Sequence, residues 1–442
     1  MKFKKIVKQN KIKQEKLYLF LILLFAFIIR FWNLWHPKTY IYDEVYHAFT
    51  AQEMAKGNVK AWEWWNPSPK GFAYEWTHPP LAKLIMAGGV LLFGKSQFAF
   101  RLPGIFFSIG VIYFVYLLAK QIFKNERIAL LSAFLVSFDG MLFVMSRIGM
   151  ADIYFLFFLL GTIYFCLKEK YLWSGIFLGL SIATKWSGLY LYLVVGMILI
   201  NDFFIRVKKP KPSITQLLNY SITKGIIFLI IPVIIYLLSY LPFFTSGHTW
   251  MQFKELQKQM WGYHTNLEAT HNYQSKAYTW PLMLRPVWFW VKYDKNKIGN
   301  IYNLGNPVIW WGGVLILPYA IWEVVRQRFK KVRPCEYKDG PLLAFVVFCY
   351  FAFWLPWVFS PRIMFLHHYM PAIPFLCLLI GWFLDRLLRN NGTMKQWNNR
   401  KLFVICYLLF VISSFSWFYS IYTGILIPKD LVKYFFWLSS WK

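Results

Sequence analysis

Two adjacent acids, Asp43 and Glu44, stand in the stretch "WHPKTYIYDEVYHAFTAQEMAKG" (35–57), directly after an apolar run long enough to cross a bilayer. A carboxylate there can take a proton from a hydroxyl. It can equally open a short helix, "EVYHAFTAQEMAKG", that Gly57 closes. His78 in "EWTHPPLAKL" follows the same division, as a site residue or a polar interface residue. Arg101 in "FAFRLPG" could hold an anion or snorkel to head groups. Arg147 and Asp152 bracket a tight turn in "MSRIGMADIYF", where an ion pair across the turn competes with a chemical role. Lys185 in "ATKWSGLY" could bind an anion or snorkel, and "SPRIMFLHHYMPAIPF" brings Arg362, His367, His368 and Tyr369 together. Adjacent histidines on one helix point about 100° apart and make poor joint metal ligands, so a metal site is not expected. No phosphate-cradling glycine loop and no nucleophile elbow is present.

The elements that position these residues are membrane helices. Of 442 residues, 58% are hydrophobic and 21% aromatic, which suits an all-α polytopic membrane protein. Eleven apolar segments run at about 17–35, 98–119, 128–146, 152–167, 172–184, 187–204, 222–244, 306–325, 341–359, 370–386 and 402–423. The net charge of +30 resides in short stretches between them, among them "MKFKKIVKQNKIKQEK", "KQIFKNER" and "RQRFKKVRPCEYK". Basic clusters of that kind mark cytoplasmic loops, and their placement excludes a nucleic-acid partner. With the N-terminus inside as an uncleaved first helix, parity puts every basic cluster in the cytoplasm. All the residues singled out above then fall on the extracytoplasmic side. Two long, aromatic-rich segments, 36–97 and 245–305, also lie outside, and 79–94 reads as a helix lying on the interface. Five cysteines, Cys166, Cys335, Cys349, Cys377 and Cys406, show neither metal spacing nor a disulfide framework.

Acids, arginines, a lysine and histidines therefore gather where spans end on one side. That suits transfer of a group from a membrane-embedded lipid phosphate, with a carboxylate taking the acceptor's proton and cations stabilising the departing phosphate. A transporter or flippase would place charges near the bilayer midplane, and the centres of these segments are almost free of them.

The stretches "YDEVYH", "HPPLAKL", "FRLPG", "SRIGMAD", "TKWSGLY", "THNYQSKAYTWPLMLRPVWFW", "GNPVIWW" and "HHYMPAIPF" occur in the order found in one family and cover nearly the whole chain. In them the sequence resembles the protein O-mannosyltransferases of glycosyltransferase family 39. These are dolichyl- or polyprenyl-phosphate-mannose–protein mannosyltransferases with the GT-C fold. The resemblance implies inverting transfer of mannose from the lipid phosphate to Ser or Thr hydroxyls of translocated polypeptides, from a β-linked donor to an α-linked product. It implies Asp43 as general base, Glu44 as a catalytic-site acid holding the acceptor or the loop, and Arg101 on the donor phosphate. Arg362 is a further phosphate candidate. His78, Lys185, His367, His368, Tyr369, Arg147 and Asp152 are candidates for positioning donor or acceptor. No cofactor and no metal are implied, arginine supplying the positive charge. The segment 245–305 is too short for the β-trefoil MIR domain of eukaryotic members, as in the prokaryotic form. Three regions are expected: a catalytic module over 1–244, an external loop over 245–305 and a four-helix region over 306–442. The runner-up is a GT-C enzyme glycosylating a lipid, such as an aminoarabinose transferase acting on lipid A.

Overall fold

The computed structural model describes residues 2–208, 213–329, 339–389 and 394–442; Cys335, the basic stretches 209–212 and 330–338, and residues 390–393 lie outside these. Helix α1 (Lys2–Phe31) carries the first apolar run and leads into the first external segment. That segment holds α2 (His47–Ala55) and α3 (Leu81–Phe93), and α3 is the short helix expected at the interface. Ser96 caps α4 (Gln97–Phe123), its Oγ accepting from the Ala99 amide at 3.2 Å. Gly89 lets α3 lie directly on α4, since a Cβ there would come within 2.3 Å of the Ala99 carbonyl oxygen.

The segment expected as one span over 128–146 is two helices, α5 (Glu126–Ser137) and α6 (Gly140–Met145). Asp139 divides them. Its carboxylate caps α6 by accepting from the Leu142 amide at 2.9 Å, and it accepts from Trp310 Nε1 at 2.7 Å. A buried acid with those partners starts a new helix rather than continuing the old one. Next come α7 (Asp152–Leu167) and α8 (Tyr171–Thr184), both short and apolar, and α9 (Leu191–Val207) after a 3₁₀ turn at Trp186–Tyr190. Then α10 (Ile214–Gly225) and α11 (Ile231–Ser239) run on through a π turn as one span, and α12 (Leu241–Thr245) ends it.

The second external segment contains α13 (Trp250–Asn266), opened by a Thr249–Gln252 capping box, and an antiparallel hairpin of β1 (Val287–Asp294) and β2 (Lys297–Asn303). Helices α14 (Pro307–Phe329), α15 (Gly340–Trp354), α16 (Ile373–Arg389) and α17 (Met394–Thr423) follow, and β3 (Ile427–Pro428) adds to β2. The helical fold class thus includes one small sheet that hydropathy does not announce. Its first strand, "VWFWVKYD", is a run of β-branched and aromatic residues with a bulge between Trp288 and Trp290.

Among the described residues, seven helices are long and apolar enough to cross a membrane: α4, α9 and α10–α11, then α14 to α17, several extended by flanking turns. The apolar part of α1, the broken α5–α6 pair and the short α7 and α8 account for the other four expected segments. Burial separates inner from outer helices. The apolar stretch of α16 is 78% buried and that of α4 61%, against 11% for α10–α11, whose Leu229, Ile230 and Val233 face outward. The two external segments pack together with the end of the α11–α12 span through Trp62, Tyr240, Phe243, Phe253 and Leu256, forming a roof at one end of the bundle.

Candidate active site

The first external segment returns to the bundle through a 3₁₀ turn, Tyr42–Val45, that presents Asp43 and Glu44. The two acids have opposite fates. Glu44 is fully buried and every nearby donor converges on it. Its Oε1 accepts from Arg101 Nε and from the Gly149 amide, both at 2.8 Å; its Oε2 accepts from Arg101 Nη2 at 2.7 Å and the Ile41 amide at 2.8 Å. Arg101 spends its remaining donors on the carbonyls of Pro37 at 2.9 Å, Thr39 at 3.0 Å and Leu34 at 3.3 Å. Arg101 has no donor left for a lipid phosphate and no exposed surface, which corrects the expectation that it binds one. Glu44 moors the loop to α4 and to the turn before α7, the loop-holding role among those expected of it.

Asp43 makes no side-chain hydrogen bond among the described residues and stays partly exposed. It does not cap α2, whose N-terminal residue Tyr46 offers no side-chain cap either. Burial pushes its carboxyl up to about 7, with the neighbouring Asp152 and Glu75 adding to burial and Lys185 opposing it. A free carboxylate poised there can exchange a proton near neutral pH.

Arg147 and Asp152 do not pair across their turn. Arg147 donates to the carbonyls of Ile29, Arg30, Trp32 and Asn33, satisfying the end of α1, where a helix leaves carbonyls unpaired and favours a cation. Asp152, buried at the start of α7, instead accepts from Lys185 Nζ at 2.8 Å. Arg147 is therefore a strut and not a positioning group. Tyr369 is another correction, fully buried with its hydroxyl 2.6 Å from that of Tyr350 and its ring against Trp310.

Beside Asp43 lies an ionic cluster that motif spacing did not single out. Glu75 accepts from Lys83 Nζ, from Thr77 Oγ1 and from His78 Nδ1, the last at 2.9 Å. Lys83 also donates to the carbonyls of Glu75 and His78, both at 2.8 Å. Burial would raise the Glu75 carboxyl, but the Lys83 ammonium with His47 and His78 holds it well below the usual range. Burial likewise pushes His78 down to about 3 against the pull of Glu75, so its imidazole is neutral with Nδ1 as donor. His47, Glu75 and His78 offer ligand atoms within 4.8 Å of one another. Lys83 already neutralises that carboxylate, and a divalent ion would have to displace its ammonium.

A cavity of about 230 Å³ opens next to this cluster, lined by His78, Lys185, His264, Arg362 and His368 together with Trp186, Tyr190, Trp261 and Trp357. Arg362 donates to His264 Nδ1, and His264 Nε2 donates to the Thr77 carbonyl at 2.7 Å, which fixes a neutral imidazole. Burial and the Arg362 charge push His264 down to about 4. Arg362 has no carboxylate partner among the described residues, and its Nε is buried without any acceptor. A half-buried cation with an unsatisfied donor, beside Lys185 and walled by aromatics, is arranged for an anion on an apolar tail. His368 contributes a ring held by its Nδ1 at 3.0 Å from the Phe365 carbonyl and packed edge-on against Trp357.

Comparison with known proteins places the chain among its relatives. Residues 20–246 match the family model described as dolichyl-phosphate-mannose-protein mannosyltransferase, and residues 249–441 match the C-terminal four-span region of protein O-mannosyltransferase. The chain is 27% identical over 489 aligned positions to a polyprenol-phosphate-mannose–protein mannosyltransferase of Mycolicibacterium smegmatis, covering 94% of this chain and 91% of that one. Its fold is similar to the Saccharomyces cerevisiae protein O-mannosyltransferase Pmt1-Pmt2 complex bound to the sugar donor, with a TM-score of 0.82 at 16% identity, covering 97% and 93% of the two chains. ArnT from Cupriavidus metallidurans bound to undecaprenyl phosphate is more distant, with a TM-score of 0.55 at 16% identity and coverage of 87% and 62%.

Proposed function

The chain belongs to the dolichyl-phosphate-mannose–protein mannosyltransferase family, and from that premise we propose that it moves mannose from a polyprenyl phosphate carrier to Ser or Thr hydroxyls of polypeptides. It is an integral, multi-pass membrane enzyme. The observation that carries the proposed reaction is a carboxylate without a hydrogen-bond partner, Asp43, whose charge is coupled to the Asp152–Lys185 pair, Lys185 being also a wall of the cationic cavity.

In this reading the acceptor hydroxyl loses its proton to Asp43 as its oxygen bonds to the sugar C1, and the bond from C1 to the phosphate oxygen breaks. Attack and departure on opposite faces invert the anomeric centre. The departing lipid phosphate gains a second negative charge, and Arg362 and Lys185 meet it. Arg362 suits the task because its charge is not already spent on a carboxylate. The polyprenyl tail leaves the cavity past Trp261 and Leu189, both of them outward-facing. Two fixed cations replace a metal, and the roofed end of the bundle faces outside the cell, where secreted chains emerge.

Membranes supplied with labelled polyprenyl-phosphate-mannose and a Thr-containing peptide test the proposal. Label passing to peptide with wild type and not with Asp43→Asn is the expected result. Label passing only to lipid would favour the lipid-glycosylating relatives instead, and near-normal transfer by folded Asp43→Asn would remove Asp43 as the base.

A further inference from the structure

A cavity of about 1110 Å³ opens at the end of the bundle away from the roof and shares no residue with the candidate active site. It lies where the first half of α1, the end of α4, the start of α5 and the end of α7 meet, together with Asp339 before α15 and Arg389 closing α16. On α4, Lys120 is nineteen residues from Arg101 at the roofed end, about 28 Å of helix and close to the thickness of a bilayer core. The apolar run of α1 begins at Leu17 and that of α7 ends at Leu167. The cavity, lined by Gln14, Tyr18 and Lys168, therefore sits at the level where hydrocarbon gives way to head groups.

Five cations line it, Lys120, Lys124, Arg127, Lys168 and Arg389, against three acids, Glu15, Glu126 and Asp339. Part of that charge is neutralised. Lys120 pairs with Glu126 at 2.8 Å, and Arg127 and Arg389 both reach Asp385, the first at 3.3 Å. Lys124 and Lys168 have no carboxylate partner among the described residues. One side chain ties their helix ends together. Gln121 Oε1 accepts from Lys124 Nζ at 3.0 Å, and Gln121 Nε2 donates to the carbonyl of Leu167, the neighbour of Lys168, at 3.1 Å. A single lysine at the end of a span is ordinarily solvated. Two unpaired lysines brought to one concave wall, with acids nearby that do not reach them, are placed for an anion from outside the chain.

The rest of the lining says what kind of anion. Tyr18, Leu117, Leu130 and Tyr164 give the cavity apolar and amphipathic walls. Tyr18 is exposed, and so are Leu17 and Leu21 beside it on α1, so that wall continues into lipid-facing surface. A soluble anion gains nothing from such a surface, whereas an acyl chain does.

We propose that this cavity binds the head group of an acidic phospholipid in the leaflet opposite the active site, the cytoplasmic leaflet on the topology proposed above. The phosphodiester accepts from the Lys124 and Lys168 ammonium groups, Lys120 and Arg127 add positive charge, and an acyl chain lies along Tyr18 and the outward face of α1. Basic residues near a membrane attract acidic lipids in general; the cavity gives that attraction one address. A lipid held there joins the ends of α1, α4 and α7, and because it binds the folded chain it stabilises the bundle.

Full-length protein in nanodiscs of phosphatidylcholine, with and without phosphatidylglycerol, tests this with neither donor nor acceptor present. Retained lipid is counted by native mass spectrometry and the thermal midpoint is followed. Wild type is expected to retain phosphatidylglycerol over phosphatidylcholine and to melt higher when it is present. Lys124→Gln combined with Lys168→Gln should weaken that preference about tenfold to thirtyfold and remove the rise in midpoint. Its midpoint in phosphatidylcholine alone should match wild type, since neither lysine has a carboxylate partner to lose. Lys124→Arg combined with Lys168→Arg keeps the charge and should keep both effects. Lys208→Gln combined with Lys401→Gln removes the same charge from exposed positions at the same end of the bundle, outside the cavity, and should also keep both. Equal loss in that control would reduce the effect to general surface charge and overturn the site. An unaltered preference in the Lys124→Gln, Lys168→Gln variant would overturn it as well. A rise of the same size from inorganic phosphate in phosphatidylcholine nanodiscs would overturn the lipid as occupant.

Discussion

Arg101 and Glu44 close a two-point ion pair, Nε to Oε1 at 2.8 Å and Nη2 to Oε2 at 2.7 Å, with both side chains fully buried. The planar guanidinium matches the carboxylate, and the leftover donors and acceptors are all taken by backbone. Removing one partner strands a buried charge, which typically destabilises by about 3–5 kcal/mol. Arg101→Ala and Glu44→Ala are therefore expected to lower the thermal midpoint and abolish transfer together. Arg101→Lys should rescue neither, because an ammonium cannot make the fork. A variant of Arg101 that stayed as stable as wild type yet lost donor affinity would contradict the structural role.

Asp43→Asn should behave in the opposite way. Losing a general base lowers kcat by about 10²–10⁴-fold, and the carboxylate has no structural bond to lose. The wild-type rate should rise with pH to a plateau above about 7, where Asp43 is ionised, and the residual rate of Asp43→Asn should be flat over that range. Stability carries the same signature. The folded chain binds the Asp43 proton more tightly than the unfolded chain, where the ordinary value is 3.8, so stability is lost as pH climbs from about 4 to about 7. Asp43→Asn should thus raise the thermal midpoint at pH 8 and leave it unchanged near pH 4.

How far the sequence could be read depended on what kind of constraint each feature obeys. A bilayer imposes apolar runs of about 20 residues, so the helices were legible, as was the placing of Asp43 at the end of one. Arg101 was not, because an arginine at a span's mouth looks the same whether it meets a phosphate or three carbonyls. The reassignment of Arg147 to the end of α1 and of Asp152 to Lys185 depends on contacts across more than 30 residues of chain. Glu75 and Lys83 left one usable signal, a lysine inside the apolar run "LAKLIMAGG", where a cation needs a buried partner. His47 closes the stretch "YDEVYH" without standing apart there, and His264 left no signal, since only the folded loop sets both beside His78.

Arg362 is the group whose loss should be felt by the donor. Arg362→Gln removes the charge from a cation that no carboxylate balances, so the fold is expected to tolerate it. KM for polyprenyl-phosphate-mannose should rise about tenfold to a hundredfold, and inhibition by sugar-free polyprenyl phosphate should weaken in parallel. Unchanged inhibition by the sugar-free lipid would place the phosphate elsewhere.

Glu75 and Lys83 form the remaining buried pair, 4% and 2% exposed at their side chains. Lys83→Met leaves Glu75 buried beside two imidazoles with no permanent cation, and a loss of about 3–5 kcal/mol is expected. Glu75→Gln alone strands the ammonium and should do similar harm. The double variant removes both charges, so its stability should recover toward wild type by more than simple addition allows, a coupling that a double-mutant cycle in denaturant or heat reads directly. The same pair bears on metal. Since Lys83 supplies the cation at Glu75, chelators should leave wild-type transfer unchanged, and added zinc should not raise its stability. In Lys83→Met the His47–Glu75–His78 trio loses its competitor, and there alone zinc is expected to restore part of the lost thermal midpoint. Zinc-dependent stabilisation of the wild type would show instead that the ion can displace Lys83.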